Sequence, residues 1–147
     1  LEWLDDRDIG AMSRAGTVAT LLPGTAFNLG ISRYPPARKL IAAGVPVTLA
    51  TDFNPGSCFT LNMQLILSIA CSQMRMTPAE AIAAATINGA YSLGISDRLG
   101  SLEEGKQADI TLMDVADYRE IPYFFGVNHC VVTIKKGSIV INRLEKA

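Results

Sequence analysis

The 147-residue chain carries 13 Lys+Arg, 14 Asp+Glu and one His, a formal net charge of -1, which argues against nucleic-acid binding through bulk positive charge. Apolar residues make up 49% and charged residues 18%, so the composition is that of a chain with a sizeable buried core and not of a disordered one. Its apolar stretches fall well short of the roughly 18 residues that span a bilayer, and no membrane partner is expected. In chain order, Asp5 or Asp6 caps a helix running to about residue 14, with Ile9 and Met12 on one face and Gly16 as its stop. Residues 17–22 are β-branched and apolar and read as a buried strand ending in a turn at Pro23-Gly24, with a loop over residues 25–34. Pro35-Pro36 opens a helix over residues 37–43, closed by Gly44. Residues 45–50 form a second apolar strand. A loop dense in turn formers follows over residues 51–57. Residues 61–74 read as a helix, with Leu61, Leu65 and Ile69 at a spacing of four.

Thr77-Pro78-Ala79-Glu80 has the form of a capping box, with Thr77 at the N-cap, Pro78 at the first helical position and Glu80 at the third. The Ala-rich helix it opens, residues 79–93, ends at Gly94. Buried strands separated by helices imply a parallel sheet with right-handed crossovers. Beyond Gly94 the character changes. Glycines punctuate short strand-like runs over residues 108–113, 130–134 and 138–141, which read as a small antiparallel unit. Lys135-Lys136-Gly137-Ser138 suits the tight turn of a hairpin. The two units divide near residues 94–105 and are taken as 1–99 and 100–147.

Three widely spaced cysteines, Cys58, Cys71 and Cys130, and no C-x-x-C argue against a disulfide scaffold and a structural zinc site, and point to a reducing, cytoplasmic setting. Cys71 falls in an apolar helical run and reads as a packed thiol. The N-terminus lacks a basic leader and an initiator Met, and the chain reads as a piece of a longer one. A single histidine, His129, has no partner of its own kind for a metal centre and reads as a surface or interface residue. H-x-H, H-E-x-x-H, G-x-S-x-G and P-loop motifs do not occur.

The chemistry concentrates in Leu49-Ala50-Thr51-Asp52-Phe53-Asn54-Pro55-Gly56-Ser57. An acidic residue just past the C-terminal end of a buried parallel strand occupies the active-site rim of a β/α barrel. Equally, Asp52 could cap the turn through the Phe53 or Asn54 amide. Position alone leaves both readings open.

The run from Val45 through Ala50-Thr51-Asp52-Phe53-Asn54-Pro55-Gly56-Ser57 resembles the eighth barrel strand and following loop of the amidohydrolase superfamily, in the form used by its imidazolonepropionase family. Gly16-Thr17-Val18-Ala19-Thr20-Leu21-Leu22-Pro23-Gly24 is similar to that family's seventh strand, and Thr77-Pro78-Ala79-Glu80-Ala81 to its post-barrel helix. Gly100-Ser101-Leu102-Glu103-Glu104-Gly105-Lys106-Gln107-Ala108-Asp109-Ile110 resembles the return of the chain into the superfamily's β domain. The resemblance implies an α/β fold: the C-terminal part of a (β/α)8 TIM barrel, strands 7 and 8 with flanking helices, then part of a small β-sandwich. A whole barrel needs about 200 residues or more. The remainder would come from upstream sequence or from another chain, and a homodimer is left open.

The implied reaction is hydrolysis of the cyclic amide of 4-imidazolone-5-propanoate to N-formimidoyl-L-glutamate, a step of histidine degradation. It implies one Zn²⁺ or Fe³⁺ ion, with the remaining ligands outside this chain. By the same resemblance Asp52 is a metal ligand and the catalytic proton acceptor, and Asn54, Gly56 and Ser57 bind the substrate. No basic residue of the loop pairs with the propionate. Two alternatives are a deaminase-type amidohydrolase and a non-catalytic remnant or completing subunit.

Overall fold

Asp5 starts the first helix because its carboxylate can take the amides that a helix leaves unpaired. In a computed structural model, which describes residues 1 and 3–144, its Oδ1 accepts the Arg7 and Asp8 N–H groups at 2.8 and 2.9 Å. Asp8 Oδ2 takes the Asp5 N–H in return at 3.1 Å. Helix α1 (Asp6–Ala15) ends where Gly16 adopts a left-handed φ of 65° and turns its amide back onto the last carbonyls.

Strands β1 (Ala19–Leu21) and β2 (Val47–Leu49) pair in parallel, with Ala19 opposite Val47 and Leu21 opposite Leu49. Two further ladder bonds, Ala19 N–H to Pro46 O at 2.8 Å and Ala50 N–H to Leu21 O at 3.2 Å, extend past the strand ends. The strands are shorter than the six-residue apolar runs, because pairing ends where the neighbour turns away into a helix. Between them lie α2 (Pro23–Asn28) and α3 (Ala37–Ala42). The expected turn at Pro23-Gly24 and the start of the expected loop are thus a helix, while residues 29–34 form loop as expected. Pro23 fits the first turn of that helix, where the missing N–H costs nothing, and residues 23–26 are buried.

Helix α4 (Met63–Met74) begins at Asn62, whose Oδ1 accepts the Leu65 N–H at 3.1 Å. Leu61 lies outside it and is 71% exposed; the buried face is instead Ile66, Leu67, Ile69, Ala70 and Met74. The capping box at Thr77 is reciprocal: Thr77 N–H donates to Glu80 Oε2 at 2.8 Å and Glu80 N–H to Thr77 Oγ1 at 3.3 Å. The helix it opens, α5 (Pro78–Ala85), does not continue to residue 93. The backbone breaks at Thr86 (φ -121°, ψ -94°), whose hydroxyl bonds back to Ile82 O at 2.7 Å, and α6 (Ile87–Ser92) follows. Gly100 packs onto this break: a Cβ there would lie 2.8 Å from Ile87 Cα and 3.0 Å from Thr86 O. Side chains then tie these helices to β2. Thr48 Oγ1 donates to Ala84 O at 2.9 Å, and Asn88 Nδ2 donates to Val47 O at 2.8 Å.

The second sheet has the order β3 (Ile110–Met113), β4 (Cys130–Lys135), β5 (Ser138–Asn142), all antiparallel. Lys136 and Gly137 connect β4 to β5 with φ of 51° and 79°, as a two-residue hairpin turn requires. A one-turn helix, α7 (Glu120–Tyr123), buries Ile121 and Pro122 and packs on α4. Nothing in the sequence periodicity announced it. The main core gathers Leu21, Leu40, Val47, Leu49, Ile66 and Ala81 between the two-stranded sheet and its helices. Among the described residues no helix is long and apolar enough to cross a membrane.

The β4–β5 turn is held by Asp109. Its carboxylate takes the Lys135 ammonium and, at 2.8 Å, the Lys136 N–H. The Lys135 hydrogen bond first, and the Lys136 amide second, hold its pKa down at about 2 against an ordinary 3.8. A carboxyl acidified by folding stabilises the native state fully above its unfolded pKa, and that stabilisation is lost as pH falls toward the folded value. Thermal unfolding between pH 2 and pH 7 should therefore show a stability loss concentrated below about pH 4, and Asp109→Asn should flatten part of it. A variant profile parallel to the parent would show that Asp109 contributes nothing.

Candidate functional site

Parallel pairing places the C-terminal ends of β1 and β2 side by side, so the segments that leave them meet. The first contributes α2 and the second the loop after residue 49. Their meeting point is a hydrogen bond from Thr25 Oγ1 to Asp52 Oδ2, 2.8 Å long, and Thr25 is only 4% exposed. Close approach makes it possible. A Cβ on Gly24 would lie 2.7 Å from Ile66 Cδ1, 3.0 Å from Cys58 Sγ and 3.5 Å from Thr51 O, so glycine lets α2 settle against both α4 and the loop. At the far end of α2, Asn28 Nδ2 donates to Ser57 O at 2.9 Å.

Asp52 has a φ of 54°, a left-handed conformation that aspartate tolerates better than most residues. Oδ2 is taken by Thr25; among the described residues Oδ1 has no hydrogen-bond partner. Capping of the turn by the Asp52 side chain, the alternative left open above, is therefore not what the geometry shows. Asn54 does that work. Its Oδ1 accepts the Gly56 and Ser57 N–H groups, each at 2.8 Å. Its Nδ2 donates to Asp52 O at 2.6 Å and to Ser57 Oγ at 3.0 Å. Its own N–H reaches Cys58 O at 2.8 Å.

Asp52, Asn54, Gly56 and Ser57 are thus brought into one turn, but they are not equivalent. The Asn54 amide is spent within the loop. The Gly56 N–H is committed to it, although the residue is exposed. Ser57 is half-buried, with its hydroxyl against Asn54. Asp52 is the group with an open oxygen. Sequence reasoning passed over Thr25, Gly24 and Asn28, because Pro23-Gly24 was read as a turn and what followed as loop.

Among the described residues no three His, Cys, Asp or Glu side chains cluster as a metal site would need. A catalytic zinc ion takes about three protein ligands, and Asp52 fits as one. A ligating carboxylate is normally braced by a hydrogen bond to its other oxygen, which is the arrangement at Asp52. His129 is held elsewhere, between α4 and the β unit. Its N–H donates to Gln64 Oε1 at 2.9 Å, its ring lies 6.0 Å from that of Phe124, and its buried Nε2 has no partner among the described residues. A surface cavity of about 400 Å³, lined by Ser68, Cys71, Arg119 and Tyr123 among others, includes none of the Asp52 loop. Burial first, and the Glu80 carboxylate second, push the half-buried Cys71 thiol up, as suits a packed, unreactive cysteine.

The sequence profile of the Amidohydrolase family matches residues 17–140. The chain belongs to the amidohydrolase family. It is 52% identical over 137 residues to an imidazolonepropionase from Geobacillus thermodenitrificans, covering 93% of this chain and 32% of that protein. With the imidazolonepropionase of Alkaliphilus metalliredigens it shares 46% over 138 residues, covering 94% of this chain and 33% of the relative. The chain spans about a third of the length of the curated relatives it matches. Among solved structures, an adenosine deaminase from Xanthomonas campestris with bound zinc superposes with a TM-score of 0.87 at 24% identity, over 97% of this chain and 36% of the other. An atrazine chlorohydrolase from Arthrobacter aurescens in complex with zinc gives 0.82 at 22% identity, over 97% and 35%. At such identities the likeness concerns the amidohydrolase fold alone.

The geometry gives Asn54 a structural duty that can be measured. Asn54→Ala removes the acceptor of the Gly56 and Ser57 amides and should lower stability by about 0.5–1.5 kcal/mol for each bond lost. Asn54→Asp keeps the acceptor and should recover part of that in chemical denaturation. An unchanged denaturation midpoint in Asn54→Ala would contradict the assignment.

Proposed function

We propose that the chain is the C-terminal part of a metal-dependent cyclic amidohydrolase of the imidazolonepropionase type, acting on 4-imidazolone-5-propanoate. β1 and β2 then correspond to the seventh and eighth barrel strands. Residues 1–99 are barrel, and residues 100–147 are the C-terminal share of a β-sandwich domain. The observation that carries the reading is Asp52: a carboxylate just past a buried parallel strand, braced at one oxygen and open at the other. The identity of 46% and 52% to imidazolonepropionases supports the choice of substrate.

In this reading Asp52 is the one ligand that the chain gives to a Zn²⁺ or Fe³⁺ ion. When bound, the ion supplies Lewis acidity that polarises the amide carbonyl and makes water reactive near neutral pH. The Asp52 carboxylate accepts a proton as water adds to the ring carbonyl. It returns that proton to the ring nitrogen as the C–N bond breaks, which releases N-formimidoyl-L-glutamate. The turn over residues 52–57 forms one wall of the substrate site. Ser57 and the backbone at Gly56 face the substrate there, and Asn54 acts by holding their shape. The loop holds no Lys or Arg, so the propionate is neutralised elsewhere in the enzyme.

The test is a chimera in which this chain replaces the matching third of the Geobacillus imidazolonepropionase. It should hydrolyse imidazolone propionate, and Asp52→Asn should reduce kcat by about 10³-fold or more, near 4 kcal/mol of barrier. The 147-residue chain alone, supplied with zinc, should show no turnover. Activity of the isolated chain, or full activity of the Asp52→Asn chimera, would refute the assignment.

A further inference from the structure

We infer that Thr25 is a positioning residue for Asp52, its hydroxyl fixing which carboxylate oxygen is free to act. The inference rests on the reading of Asp52 as a metal ligand and proton acceptor, and adds to it a group on a different strand-to-helix connection.

The hydroxyl is placed for this. A buried hydroxyl needs a partner, and a helical threonine ordinarily finds one in the carbonyl a turn back. Here Thr25 stands in the first turn of α2, and the residue a turn back, Leu21, belongs to β1, where its carbonyl takes the Ala50 N–H at 3.2 Å. The Thr25 hydroxyl turns outward and meets Asp52 Oδ2 at 2.8 Å. Its β-branched side chain is stiff at χ1, and its helix is fastened at both ends: by the contact of Gly24 with Ile66, Cys58 and Thr51, and by Asn28 on Ser57 O.

Asp52 needs such a brace. Its left-handed backbone and the bond from Asn54 to its carbonyl fix where the side chain begins. Neither fixes where the carboxylate points. With Oδ2 anchored to Thr25, rotation about the side-chain bonds is restrained, and Oδ1 is the oxygen without a partner among the described residues. Loss of the hydroxyl would leave Oδ2 without a donor and the carboxylate free to reorient.

Thr25→Val keeps the branched shape and deletes the hydroxyl, while Thr25→Ser keeps the hydroxyl. Both are made in the chimera and compared with the parent chimera and with Asp52→Asn. Metal affinity is measured by competition with a chelator, and kcat and KM are measured at saturating zinc. Thr25→Val should weaken zinc affinity about 10- to 100-fold, the range for deleting a group that braces a metal ligand. At saturating metal its kcat should fall with KM unchanged. Thr25→Ser should recover parent affinity and kcat, which lost packing would not permit. If Thr25→Val proves unstable, Thr25→Ala against Thr25→Ser makes the same comparison. Parent-like zinc affinity and kcat in the hydroxyl-free variant, while Asp52→Asn loses zinc, would overturn the role of Thr25 and leave that of Asp52 standing. Zinc retained by Asp52→Asn would overturn both.

Discussion

The three-rung parallel pairing of Ala19, Thr20 and Leu21 with Val47, Thr48 and Leu49 is the constraint on which the rest of the chain depends. It brings two strand ends together that are far apart in sequence. It also sets α2 against the loop after β2 and buries Leu21, Val47 and Leu49 against Leu40 and Ile66. Each feature at Asp52 follows from it. The Leu21 carbonyl belongs to the ladder, and the Thr25 hydroxyl meets Asp52 Oδ2 instead. Gly24 allows the close approach that puts that acceptor in reach.

These elements also expose large apolar side chains. Phe27, Phe53, Phe59 and Leu61 are exposed near the candidate site, as are Ile139 and Val140 on β5. Each strand of the parallel sheet has one partner among the described residues. Open strand edges and bare apolar side chains are costly in water and favour association. The chain also matches relatives about three times its length. Under the proposed function these surfaces dock against the remainder of the barrel and its sandwich domain.

Much of this was legible in the sequence where a local rule and the tertiary fold agree. Thr77-Pro78-Ala79-Glu80 forms the reciprocal cap its spacing announces, and Lys136-Gly137 makes the expected hairpin turn. Asp5 and Gly16 bound the first helix as read. The failures share a cause: tertiary contacts overriding local signals. Pro23-Gly24 looked like a turn, yet burial of residues 23–26 stabilises a six-residue helix there. The Ala-rich segment looked like one helix, yet Thr86 and the approach of Gly100 split it. α7 is too short to carry a period. At the site, Asp52 stood out by its position after a strand, whereas Thr25 could not, since its role arises from a contact 27 residues away along the chain. Asn54 carried a turn signal and a binding signal at once, and its hydrogen bonds fall on the turn side.

The central claim is that Asp52 gives its open oxygen to a metal ion. A crystal structure of the chimera with zinc, with anomalous scattering recorded at the zinc edge, tests it most directly. The account predicts an anomalous peak at about 2.0–2.2 Å from Asp52 Oδ1, with Oδ2 still on the Thr25 hydroxyl. A zinc ion bound in the barrel with Asp52 outside its coordination sphere would contradict it.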